Sequence, residues 1–67
     1  MILKTKNGKY IRADLANYFY VYFDSCIWSI MFCFDSREIN YGSFESINDA
    51  ITEANKIAEN ICKGLQQ

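Results

Sequence analysis

The side chains of this sequence that are able to do chemistry are its cysteines, its acids and a run of tyrosines. Histidine is absent, which removes the commonest general base and the commonest metal ligand. Cys26, Cys33 and Cys62 are an odd count of thiols and lack the short paired spacing of zinc or redox motifs. They read as free thiols buried in a reducing compartment, with Cys26, in a tight turn, the most exposed of them. Asp24, Asp35 and Glu38 fall at hairpin ends, where acids are ordinary turn residues, and a catalytic pair among them would need a cleft. Gly8, Gly42 and Gly64 stand at a turn, a strand end and a helix end, so no glycine-rich phosphate loop is present. The expectation is a non-enzymatic chain with no metal and no cofactor.

Charge bears on partners. The first twelve residues carry Lys4, Lys6, Lys9 and Arg12 with no acid, while all eight acids follow them, for a net charge of −1. A non-specific nucleic-acid binder normally shows a clear basic excess, which is missing here. The longest apolar stretch, Ile30 to Phe34, is strand-sized, so no membrane span is expected. Lys4 follows Met1-Ile2-Leu3 at once, which argues against a secretory leader and for a cytoplasmic location.

These groups must be positioned by few elements. A chain of 67 residues, 51% apolar and 16% aromatic, is one domain (1–67) near the lower size limit for an unaided core. Asn7-Gly8 tolerates the two positive φ values of a type I′ turn, which predicts a hairpin over 2–13. From 18 to 41 the period is two, the mark of strands. Pairing around Ser25-Cys26 sets Phe23 opposite Trp28, Val21 opposite Ile30 and Phe19 opposite Phe32. The same register sets Tyr22, Tyr20 and Tyr18 opposite Ser29, Met31 and Cys33, and a one-residue slip would mix the two sets. A further strand after Ser36-Arg37 is expected to place Ile39 opposite Phe34 and Tyr41 opposite Phe32. A helix is predicted over 46–63, with Ser46 as N-cap, Asp49 in the first turn and Gly64 at its end. Its apolar stripe comprises Ile47, Ala50, Ile51, Ala54, Ile57, Ala58, Ile61 and Leu65.

The predicted fold class is α+β, an antiparallel sheet of four to five strands with one C-terminal helix packed on one face. That helix is expected to cover Phe19, Val21, Phe23, Trp28, Ile30, Phe32 and Phe34. The other face then presents Tyr18, Tyr20, Tyr22 and Met31 to a partner, because tyrosine combines apolar area with a polar tip and is enriched at interfaces. The hairpin admits two joins to this sheet. With Arg12 opposite Phe19, the basic residues border the tyrosines and form a stacking platform for single-stranded nucleic acid. With Ala13 opposite Phe19, Ile11 and Ala13 enter the core and Tyr10 and Arg12 lie beside the tyrosines; this buries more apolar area. The partner-binding candidates are therefore Tyr18, Tyr20, Tyr22, Met31, Tyr10 and Arg12, serving a protein partner or a second copy of the chain as a homodimer. The alternative is a DNA or RNA module built on the sheet face and the basic hairpin.

From Trp28 to Ala58, the order strand, strand, Tyr41-Gly42-Ser43-Phe44, then a helix with Ala50 and Ala54 spaced along it, resembles a known pattern. It is similar to the three-stranded-sheet-plus-helix domains of plant ethylene-response transcription factors and phage integrase arm-binding modules. The likeness covers under half the chain and implies that fold, together with DNA contact through Arg and Trp side chains of the sheet. The corresponding strands here offer Arg37 as their basic residue. In size and in lacking catalytic groups, the chain also resembles small phage- or mobile-element-encoded inhibitors, anti-CRISPR proteins among them. Such proteins block a host defence complex by surface occlusion.

Overall fold

The computed structural model describes residues 1–65. Its strands are β1 (Ile2–Lys4), β2 (Tyr10–Arg12), β3 (Tyr18–Asp24), β4 (Ile27–Cys33) and β5 (Glu38–Phe44), followed by one helix, α1 (Ile47–Leu65). The class is α+β, but the strands form two antiparallel sheets, β1-β2 and β3-β4-β5, instead of one sheet of four to five strands.

Neither expected join of the hairpin to β3 occurs. After Arg12 the chain turns through a short 3-10 segment, Ala13–Leu15, which carries it away from a shared ladder. The hairpin instead meets the far border of the sheet, where the Lys6 N–H donates to the Tyr41 carbonyl at 2.7 Å. Its turn also differs from the type I′ expectation. Thr5 faces Lys9 across a loop of Lys6, Asn7 and Gly8, closed by Gly8 N–H donating to Thr5 C=O at 3.1 Å. Gly8 alone takes positive φ (91°), as in a three-residue hairpin loop with a glycine bulge. Thr5, buried, decides the matter: its hydroxyl accepts from Lys9 N–H at 2.9 Å and donates to the Asn7 side chain.

The β3–β4 register is the one the alternation predicts, from Tyr18 opposite Cys33 through Phe23 opposite Trp28. The β4–β5 register is not. Ile39 faces Phe32, two residues from the expected Phe34, because the connection takes four residues, Phe34 to Arg37, closed by Phe34 N–H donating to the Arg37 carbonyl at 2.8 Å, instead of the two of Ser36-Arg37. Tyr41 faces no residue of β4. It is the extra residue of a β-bulge between the Met31–Asn40 and Ile30–Gly42 pairs. The bulge reverses the alternation, so Ile39 before it, Tyr41 itself and Phe44 after it all pack toward the core.

That core lies between the three-stranded sheet on one side and α1 with the hairpin on the other. Ile30, Phe32 and Ile57 are its largest fully buried side chains, joined by Ile11, Ala13 and Tyr41. Each of the isoleucine and phenylalanine side chains contributes about 1.5–3 kcal/mol on burial. Ser46 caps α1, its hydroxyl accepting from Asp49 N–H at 3.1 Å. The helix continues through Gly64 to Leu65. Its small residues, Ala50 above all, let it lie close on the sheet, but it does not cover the whole phenylalanine face. Phe23 is 53% exposed and Trp28 only half-buried, and Ile47 and Ile51 of the expected stripe face outward. The cause is direction: α1 starts beside Phe44 at one corner and reaches Phe19 near Ile61, leaving the Phe23 corner open.

A candidate interaction surface on the tyrosine face

Period-two alternation places Tyr18, Tyr20 and Tyr22 of β3, Ser29, Met31 and Cys33 of β4, and Glu38 and Asn40 of β5 on the face away from α1. Nothing covers it. Tyr18 is 60% exposed and Tyr22 44%, while Tyr20 and Met31 are half-buried among their neighbours. A shallow hollow of about 380 Å³ opens between Tyr20, Tyr22, Met31, Glu38 and Asn40.

The polar groups on this face are partly committed. Tyr20 O–H donates to Glu38 Oε2 at 3.3 Å, the Cys33 thiol to Glu38 Oε1 at 3.5 Å, and the Ser29 and Ser43 hydroxyls pair at 3.1 Å. The Tyr18 and Tyr20 rings lean together with centroids 6.0 Å apart. The Cys33 thiol beside Tyr18 raises that phenol above its ordinary range, and the nearby Glu38 charge adds to the effect. Partial desolvation, then the Glu38 carboxylate, raises Tyr20. Both rings therefore remain neutral donors across the physiological range. Asp24 and Glu38 give the face negative charge, and neither Lys nor Arg lines the hollow.

Of the six residues proposed from the sequence, the structure brings four together: Tyr18, Tyr20, Tyr22 and Met31. Tyr10 and Arg12 stand apart on the separate hairpin. Tyr10, 68% exposed, lines a groove along β5 with Glu38 and Asn40 and so reaches only the border of the face. Arg12 pairs with Asp14 at 3.2 Å and lines a second groove with Leu15, Phe34 and Arg37. Glu38 and Asn40 belong to the surface yet were not among the candidates. Their alternation with Ile39 places them there even in the expected register, because a two-residue shift leaves each side chain on its own face. The cysteines also differ from a uniformly buried set: Cys33 is buried beneath the tyrosines, whereas Cys26 and Cys62 are exposed.

Among the described residues, no group of three His, Cys, Asp or Glu side chains is placed to hold a metal ion. Nor, among the described residues, is any helix long and apolar enough to cross a membrane. No protein-family model, curated protein or solved structure matches the chain. Function must therefore be argued from the surface itself.

Proposed function

We propose that this chain is a non-enzymatic protein-binding module that engages its partner through Tyr18, Tyr20, Tyr22 and Met31. The observation that carries the reading is a flat face of exposed tyrosines around a shallow hollow, on a molecule whose helix occupies the opposite side. Tyrosine offers large contact area at low rotamer entropy, which suits the centre of an interface. The acids bordering the face favour a partner surface with apolar and basic side chains, and they repel nucleic-acid phosphates. The separation of Arg12 from the tyrosines weakens the stacking platform that nucleic-acid binding needs. Action by occlusion, as in the anti-CRISPR inhibitors that the chain resembles in size, needs no more than such a face.

The test is capture of a partner by the wild-type chain and by a variant carrying Tyr20→Lys and Met31→Lys. The double variant should lose a partner that the wild type retains while its circular dichroism and melting stay native. A partner held equally by both would remove the tyrosine face from consideration. A complex with single-stranded DNA or RNA that dissolves on raising salt would replace this reading by the nucleic-acid one.

A further inference from the structure

β3 borders the three-stranded sheet, with β4 on one side of it and, among the described residues, no strand on the other. The turn after it fixes which of its main-chain groups are spare. Ser25 and Cys26 both lie in the left-handed region, at φ 52° and 64°, so the turn is a two-residue type I′ and Asp24 and Ile27 form a hydrogen-bonded pair. Counting back along the alternating ladder, Tyr22, Tyr20 and Tyr18 bond to β4, and the N–H and C=O of Phe19, Val21 and Phe23 point away from it. Among the described residues, no main-chain or side-chain group from another element bonds to them. An unpaired edge of this kind is a template for another strand. This one carries none of the usual protections: no proline, no lysine and no bulge along Phe19–Phe23.

The sequence says which strand. Phe19-Tyr20-Val21-Tyr22-Phe23 reads the same in both directions. An antiparallel copy with Val21 opposite its own mate sets Phe19 against Phe23 and Tyr20 against Tyr22. It also brings the spare groups of both strands face to face, because all of them belong to Phe19, Val21 and Phe23. A one-residue slip would aim spare groups at residues already bonded to β4, and a two-residue slip would leave a phenylalanine unmatched. Main-chain geometry and side-chain order thus select one register.

The helix side of the sheet agrees. Phe23 is left open at one end of the strand. At the other end Phe19, stacked on Phe32 with centroids 5.1 Å apart, lines a hollow of about 240 Å³ with Ala13, Ala16 and Ile61. In the two-fold arrangement each exposed Phe23 ring stands beside the mate's Phe19, at the lip of that hollow, and the contact occurs twice. A surface complementary to itself is what a two-fold dimer requires. We propose that the chain dimerises by antiparallel pairing of β3 with β3 of a second copy, centred on Val21, to give one sheet of six strands. The two tyrosine faces then lie side by side. The proposal uses the strand edge and the helix side, and does not depend on the partner reading above.

Three measurements test it. Sedimentation of the wild type should show a mass rising with concentration from the 7.8 kDa of one chain toward twice that value. Val21→Pro removes an outward donor from each strand while leaving the β3–β4 ladder whole, and should weaken association about 30-fold or more with the fold retained. In wild-type hydrogen exchange, the amides of Phe19, Val21 and Phe23 should gain protection only as concentration rises, whereas Tyr20 and Tyr22 are protected throughout. This last measurement needs no variant. A single-chain mass at millimolar concentration overturns the proposal, as does a dimer whose three outward amides exchange freely. Association unchanged by Val21→Pro but lost with Met31→Lys would assign the contact to the tyrosine face instead.

Discussion

Gly42 lies against the Lys6 stem where the hairpin meets the sheet, and replacing it with alanine gives the sharpest test of how the two are joined. A Cβ on Gly42 would sit 2.5 Å from Lys6 Cγ and 3.1 Å from Lys6 Cβ. Ordinary contact would require the Lys6 stem to retreat by about 1 Å. It is held at both ends, by its N–H on the Tyr41 carbonyl at 2.7 Å and by its ammonium 3.6 Å from Glu53. Overpacking of this kind costs about 1–3 kcal/mol, and for a domain of this size each kcal/mol lowers Tm by roughly 4–8 °C. Gly42→Ala should therefore melt well below the wild type in calorimetry or circular dichroism. Lys6→Ala removes the nearer of the two clashing atoms, so the double variant should be more stable than the sum of the single effects by about 1 kcal/mol. A Gly42→Ala protein within about 0.5 kcal/mol of wild type, or strictly additive effects, would refute the close approach of Lys6.

Two further predictions concern Tyr41 and the β3–β4 turn. Burial, and then its 2.7 Å bond to Glu53 Oε2, push the Tyr41 phenol up to about 12. The folded state thus holds this proton more tightly than the unfolded chain, so its stabilisation is complete below pH 10 and is lost as pH rises toward 12. The loss should be of order 2 kcal/mol in denaturant titrations and absent from Tyr41→Phe; parallel curves for the two proteins would contradict it. Ser25 and Cys26 occupy left-handed conformations that favour Asn and Gly, so Ser25→Asn with Cys26→Gly should stabilise by about 1 kcal/mol or more. A lower Tm for that pair would argue against the type I′ turn.

The β3–β4 pairing was legible because phenylalanine and tyrosine occupy alternate positions, so each residue type marks a face. It was also legible because the turn between the strands has just two residues. β5 lacked both aids. Its connection has four residues, closed by a bond between Phe34 and Arg37, and its bulge at Tyr41 has no local signal, since the residue pairs with nothing on β4 and is fixed by Lys6 and Glu53 from distant segments. The hairpin was misplaced for the same reason: its main-chain bond to the sheet goes to that bulge. The helix stripe was read correctly at Ala50 and Ile57 but overextended at Ile47 and Ile51, because periodicity gives the face of a helix and not the angle at which it crosses a sheet. The tyrosine cluster was legible through its strand alternation, whereas Tyr10 and Arg12 depended on the hairpin.

The open corner of the phenylalanine face has a spectroscopic consequence. Trp28 is the chain's single indole, half-exposed there and packed at a tilt against Phe23, with 4.4 Å between ring centroids. Its emission colour reports the wetness of that corner alone, at an excitation wavelength where the tyrosines are dark. A blue shift on concentrating the protein would register Phe23 being covered, while a ligand seated among the tyrosines would leave the indole signal still.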